Sequence, residues 1–274
     1  MKIWLNGSLR DDGEARVSVF DHGLTTGDGV FEAMKVVGGV PFALTRHLAR
    51  LRASAAALGL PAPDEAELRA GLDALLADAG RPERARARIT MTAGECPLGS
   101  ERGGPAPTMV IALGALREAD AAADVVLLPW PRNERGVLAG VKTTSYAENV
   151  LALAYARERG AAESVFLNTA GNLCEGTGSN VFVAVDGRLV TPPLTAGCLA
   201  GVTRALVIEW ADAAEEDLPA AALTGAQEAF LTGTTRDVQP ISSVDGVPLP
   251  AVPGPLTRKA AEIFAARSAE RADP

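Results

Sequence analysis

Only two histidines, His22 and His47, and three cysteines, Cys96, Cys174 and Cys198, occur in 274 residues. Neither histidine belongs to a ligand-spaced cluster and the cysteines are far apart, so no metal site is expected. An odd number of distant cysteines gives no disulfide framework either. Reduced thiols in a cytoplasmic protein are the expectation. No window approaches the roughly 18 unbroken apolar residues of a membrane span, and MKIWLNGSLRDDGE lacks the apolar stretch of a secretory signal. A basic surplus is also missing, with a net charge of −8, which argues against a nucleic-acid surface and makes any anion site local. No repeat of roughly 20 to 50 residues is found.

What is present reads as an ordinary globular chain, 47% hydrophobic and 22% charged. Its length suits one large or two modest domains with a sizeable core. The dipeptides Asn6-Gly7, Asp12-Gly13 and Gly38-Gly39 separate KIWL, ARVSVF, EAMKVV and VPFAL, which read as short strands of antiparallel character. Leu48, Leu51, Ala55 and Leu58 recur at helical spacing before Gly59, and Leu68, Leu72, Leu75 and Leu76 mark a second helix. ARARITMTA and TMVIALG close this half as strands. READAAAD, residues 117–124, is polar, alanine-rich and aperiodic, and is the expected linker between a domain at 1–116 and a larger one at 125–274. Beyond it VVLLPW, VKTTS, SVFLN, EAFLTG and NVFVAVDGRLVT read as strands, the last a hairpin through Asp186-Gly187. YAENVLALAYARERG and GVTRALVIEWADA read as helices. The mixture predicts two α/β domains of the α+β type rather than a parallel doubly wound sheet, with a ligand cleft between them.

Two charged residues stand in unusual surroundings. Lys142 follows a short apolar strand and precedes an amphipathic helix, so its stem is anchored while its amine projects. Glu175 lies just before GTGSNVF, a small-residue turn leading into a strand. Alone, each is more often a solvated charge. Together they suit the Schiff-base lysine and the pyridine-nitrogen carboxylate of a pyridoxal 5'-phosphate (PLP) enzyme, where the protein tunes the ring as an electron sink. A phosphate would need its own cup. Arg50 in HLARL points away from the leucine stripe of its helix and offers a fork of donors. Gly201, Val202 and Thr203 open a helix whose free amides attract an anion, and Gly233, Thr234 and Thr235 supply a second loop of amides and hydroxyls.

HLARL, the lysine segment, EGTGSNVF, TPPLTAGCLAGVTR and LTGTTRDVQPI occur in the order found in fold-type IV (class IV) PLP enzymes, which the chain resembles over nearly its whole length. These include D-amino-acid aminotransferases, branched-chain aminotransferases and aminodeoxychorismate lyases. The resemblance assigns Lys142 the Schiff base and proton shuttling, Glu175 the pyridine nitrogen and Arg50 a phosphate contact. Gly201, Val202, Thr203 and Thr234 complete the phosphate site, and Tyr146 bonds the phenolic oxygen. It implies a small N-terminal and a larger C-terminal domain with PLP between them, in a homodimer that completes each active site.

Within the family, VSVFDHGLTTGDGVFEAMKV resembles both the D-amino-acid aminotransferases and the lyases, and puts Phe31 in the substrate pocket. KTTSYAENVL aligns with lyases, but Glu32 stands where some of them carry threonine. Ala93-Gly94 replaces the arginine-glycine of several relatives, leaving Arg102 in PLGSERGG as the nearest candidate for the substrate carboxylate; Thr235 is a further substrate candidate. The resulting expectation is an aminotransferase working between an amino donor, D-amino acids favoured, and a 2-keto acid. The alternative is 4-amino-4-deoxychorismate lyase. Branched-chain L-amino-acid aminotransferase and a non-catalytic PLP-binding protein also remain open.

Overall fold

In the computed structural model, which describes residues 2–103 and 106–274, the chain forms two units. Met1, Gly104 and Pro105 lie outside the described residues, Gly104 being the end of the PLGSERGG loop. The units are not two contiguous stretches. Unit 1 comprises Met1–Arg117, Val141–Tyr146 and Ala272–Pro274, and unit 2 comprises Glu118–Gly140 and Ala147–Arg271. The lysine segment therefore belongs with the N-terminal unit, although it falls within the expected 125–274 domain.

Unit 1 contains β1 (Lys2–Leu5), β2 (Ser8–Asp11), α1 (His22–Thr25), β3 (Gly29–Val37), β4 (Val40–Pro41), α2 (Leu44–Ala57), α3 (Glu65–Asp78), β5 (Arg84–Thr92) and β6 (Thr108–Gly114). The strands form one antiparallel sheet ordered β2-β1-β6-β5-β3-β4. Alternation along β3 sends Val30, Met34 and Val36 to one face, where they pack with Leu48 and Leu51 of α2 and Leu68, Leu72, Leu75 and Leu76 of α3. The leucine stripes read from periodicity are thus the core. ARVSVF is not a strand: its alternating residues find no neighbouring strand, and Val17, Val19 and Phe20 are exposed. Nor is VKTTS, which makes a single bridge through Thr143 to Val30. Its hydroxyls take bonds a ladder would otherwise use, Thr143 Oγ1 donating to the Gly29 carbonyl and Thr144 Oγ1 to that of Gly27.

Helix α2 is capped from far away in sequence. Its N-cap, Ala43, has no side-chain oxygen. Asp273 supplies it, accepting from the Thr45 amide (2.9 Å) and hydroxyl (2.6 Å), while Arg46 Nε donates to the Pro274 carbonyl (3.0 Å). Losing a cap of this kind costs about 1 kcal/mol. Asp273→Ala should therefore lower the thermal midpoint by a few degrees in calorimetry, and a variant that melts with wild type would assign the cap no weight.

Unit 2 contains β7 (Ala123–Leu127), α4 (Ala147–Glu158), β8 (Glu163–Leu167), β9 (Leu173–Gly176), β10 (Asn180–Val185), β11 (Arg188–Thr191), α5 (Val202–Ala211), β12 (Ala214–Glu215), α6 (Ala220–Thr224), β13 (Ala229–Gly233), β14 (Asp237–Val244), β15 (Val247–Pro248) and α7 (Pro255–Glu270). Strand β7 begins inside the segment read as linker. The sheet runs β12-β11-β10-β13-β14-β7-β8-β9, with β15 on β14. It is mixed, not antiparallel as expected. β7 lies parallel to both β14 and β8, and β11 parallel to β12. A helix between two strands lets the chain return to the same end, and α4 does this between β7 and β8. Turn dipeptides report hairpins and are silent on such crossovers.

Candidate functional site

The lysine segment is laid along the start of β3. Phe31 N donates to the Lys142 carbonyl (3.0 Å), Thr144 N to the Gly29 carbonyl (2.8 Å), and Lys142 N to Ser54 Oγ on α2 (3.3 Å). The approach explains the glycines of GDG. A Cβ at Gly27 would meet Ser145 Oγ at 2.7 Å, and one at Gly29 would meet the Met91 carbonyl at 2.7 Å and Thr144 Oγ1 at 2.9 Å. With its backbone held, Lys142 places its amine 4.3 Å from the Phe31 ring centroid and 5.9 Å from that of Tyr146. The two rings meet edge-on at 5.3 Å.

Arg88 completes this cluster and was not singled out from sequence. Arg84, Arg86 and Arg88 alternate with the buried Ala85, Ala87 and Ile89 of β5, so they share the face away from the helices. Arg88 Cζ lies 3.8 Å from the Phe31 centroid, and Nε donates to Thr90 Oγ1 at 3.1 Å. Burial, with the neighbouring Arg86 charge, holds its pKa below the usual arginine value. The alternating arginines were the signal available. Arg102 is engaged elsewhere: Nε donates to Asp28 Oδ2 and Nη1 to the Leu58 carbonyl, both at 2.6 Å, with Nη2 on Asp28 Oδ1. Asp28 is pushed up by burial, but Arg102 and His22 outweigh this and hold it low.

On the helix-facing side of β3, Glu32 is fully buried. Arg50 grips it with Nε and Nη2, both at 2.7 Å, and His47 Nδ1 donates at 2.7 Å. Burial raises the Glu32 carboxyl, but Arg50 and His47 prevail and bring it from 4.5 to about 2. Burial holds the His47 pKa down, partly offset by Glu32, and its buried Nε2 has no partner among the described residues. The position where some lyases carry threonine thus holds a buried ion pair on the opposite face of β3 from Phe31.

In unit 2, Glu175 Oε2 accepts from the Leu199 amide (2.9 Å), and Oε1 lies 3.9 Å from Arg132 Nη1. Arg132 stacks on Phe166 (4.1 Å), contacts Glu148 (3.4 Å) and donates to Asn149 Oδ1 (3.3 Å). Burial and the Glu175 charge push the neighbouring thiols up, Cys198 to about 12, so both stay protonated and unreactive. The loop that receives Glu175 leads into α5. Its N-cap, Gly201, has no side chain to satisfy the first-turn amides, and Val202 and Thr203 are buried there. Asn180 braces this start. Its Nδ2 donates to the Leu199 carbonyl (2.9 Å), and its Oδ1 fills the place a Gly201 Cβ would need. Asn180 also pairs in register with Thr232 on β13, which ends one residue before Thr234; Thr235 is exposed on the same turn.

These features fit a phosphorylated pyridine aldehyde. Unit 1 carries a lysine amine on an aromatic floor, and unit 2 carries a carboxylate held by an amide and an α5 N-terminus uncapped by any side chain, each a kind of partner such a group takes. No group of three or more His, Cys, Asp or Glu able to hold a metal occurs among the described residues. The family model for class IV amino-transferases matches residues 29–244. A putative branched-chain-amino-acid aminotransferase of Methanocaldococcus jannaschii is 36% identical, covering 90% of this chain and 88% of that protein. A D-alanine aminotransferase of Bacillus licheniformis is 30% identical over 94% of each. The crystal structure of a branched-chain aminotransferase from Thermoproteus uzoniensis, determined with norvaline, superimposes with a TM-score of 0.90 at 31% identity, covering 97% of this chain and 93% of that one. The chain belongs to the class IV aminotransferases and is a transaminase with PLP as its cofactor.

Proposed function

We propose that this enzyme moves amino groups between aliphatic amino acids, branched-chain L-amino acids first, and 2-keto acids. The observation carrying the reading is the shared Phe31 ring, which has the Lys142 amine 4.3 Å and the Arg88 guanidinium 3.8 Å from its centroid. An amine that handles a proton beside a cation that holds a carboxylate, on an apolar floor, suits an aliphatic α-amino acid. When bound, PLP would supply a carbonyl carbon for the amino group and an electron sink for the substrate α-carbon. Lys142 carries the proton between that carbon and the cofactor's C4' carbon. Glu175 accepts from the pyridine N–H, and Tyr146 bonds the phenolic oxygen. Arg50, the amides of Gly201, Val202 and Thr203, and Thr234 hold the phosphate. Phe31 excludes water from the amine, Arg88 binds the substrate carboxylate, and Thr235 borders the substrate.

The preference for branched-chain over D-amino acids rests on the relatives' names and departs from the D-amino-acid donor expected from the sequence. The D-alanine relative keeps D-amino acids as the second reading. PLP-loaded protein is incubated with 2-oxoglutarate and either L-leucine or D-alanine, and separately with aminodeoxychorismate. Faster glutamate formation from leucine is expected; faster formation from D-alanine reverses the order. Pyruvate released from aminodeoxychorismate without consumption of the keto acid would sink both readings. Arg88→Gln should raise KM for the donor about 10- to 100-fold, losing a charged hydrogen bond, and a change confined to kcat would remove Arg88 from the carboxylate. We further propose a homodimer, supported by exposed apolar residues such as Leu98 (78%) and Val137 (87%). Light scattering on an active monomer would refute it. The three free cysteines, all buried, support a reducing, cytoplasmic setting.

A further inference from the structure

A carboxylate withdrawn from water must be matched bond for bond, or it destabilises the fold. Glu163, at the start of β8, is wholly buried and is matched by groups from two separate turns. From the turn after Glu175, the Thr177 amide donates to Oε1 (3.0 Å), the Thr177 hydroxyl bonds the same oxygen, and Ser179 Oγ donates to Oε2 (3.1 Å). From the turn after β13, Arg236 Nη2 reaches Oε2 at 3.1 Å. Arg236 is itself steadied, its Nη1 donating to Gln239 Oε1 (3.1 Å) while Gln239 Nε2 donates to the Asp120 carbonyl (2.8 Å).

The first turn carries Glu175 at its entry and Asn180, the brace beneath Gly201, at its exit. The second carries Thr234. One buried anion therefore ties together two loops that reach the proposed ring and phosphate contacts, yet neither Glu163 nor Arg236 is among those contacts. We infer that Glu163 and Arg236 are positioning residues that set the Thr234 turn in register with Asn180, and through that brace with the start of α5, so that the phosphate is gripped by Thr234 and by the α5 amides at once. This rests on the phosphate assignment made under the proposed function. The ion pair is charge-assisted, and such bonds hold geometry better than neutral ones. Because both turns are short, a shift of the second displaces Thr234, and a shift of the first displaces the Asn180 brace beneath the α5 amides.

The test compares apoprotein titrated with PLP and with pyridoxal, which lacks the phosphate. Wild type is expected to prefer PLP strongly. Arg236→Met and Glu163→Gln should each reduce that preference about tenfold, the worth of one charge-assisted bond, by weakening PLP and leaving pyridoxal nearly unchanged. Arg236→Lys, which keeps the charge and so the fold, should recover most of it. The double variant should be no worse than the poorer single one, since both break the same pair. The inference is overturned if either folded variant keeps the wild-type preference, or if both ligands weaken equally, the mark of a merely structural role. Wild type without any preference for PLP would instead overturn the phosphate assignment itself.

Discussion

Lys142→Ala is expected to lower kcat for transamination by about 10⁵-fold or more, in the range found when a covalent catalytic group is removed. The loss should be chemical and not a loss of fold. The bonds that seat the segment, Phe31 N to the Lys142 carbonyl and Lys142 N to Ser54 Oγ, belong to the backbone and survive the substitution. The thermal midpoint should therefore stay near wild type. PLP-loaded wild type should show a visible absorbance that borohydride abolishes, and the variant should lack it. A small added amine should restore part of the turnover by carrying the proton from solution. A variant within tenfold of wild-type kcat would mean that another amine does this work. If wild type showed the band but no amino donor bleached it, the protein would be a PLP binder.

The second large effect concerns stability. Replacing Glu32 by leucine leaves the Arg50 guanidinium without the carboxylate it grips, and stranding one partner of a buried pair costs about 3 to 5 kcal/mol. Wild type carries the corresponding pH dependence. The Glu32 carboxyl falls from 4.5 to about 2 on folding, so the folded state binds its proton less readily than the unfolded chain does. The stabilisation, about 3 kcal/mol, is therefore complete above pH 4.5 and disappears as pH falls towards 2. Urea midpoints at pH 6 and pH 3 measure it. The drop between them should be markedly smaller in Glu32→Gln, and an identical drop in both proteins would assign the acid sensitivity to other carboxylates. PLP titrated into the apoprotein of the same variant adds a second reading, since Arg50 freed from Glu32 loses its fixed orientation.

How far this was legible in the chain depended on whether each signal was local. The leucine spacings of α2 and α3 reflect a stripe that any helix on a sheet must bury, and they emerged as read. GDG was noticed as a family pattern, but its cause, contact with a segment more than a hundred residues later, is not written near it. The parallel pairing of β7 with β8 and β14 leaves no turn signature at all. Arg88, Glu163 and Arg236 were missed because each acquires meaning from a neighbour distant in sequence: the Phe31 ring, the Thr177 turn, or one another. Arg102 drew attention for standing near a missing arginine, yet Asp28 and the Leu58 carbonyl take its donors. Lys142 and Glu175 stand out in the chain only as members of an ordered set of motifs.

The distant cap on α2 has a consequence for biosynthesis. The helix that carries His47 and Arg50 leaves the ribosome well before its partners, since the carboxylate that caps it is at residue 273 and the segment that seats Lys142 ends at Tyr146. At translation rates of roughly 5 to 20 residues per second, α2 waits on the order of ten seconds or more, uncapped, while unit 2 is made in its entirety. Unit 1 is therefore completed only after unit 2 has been made.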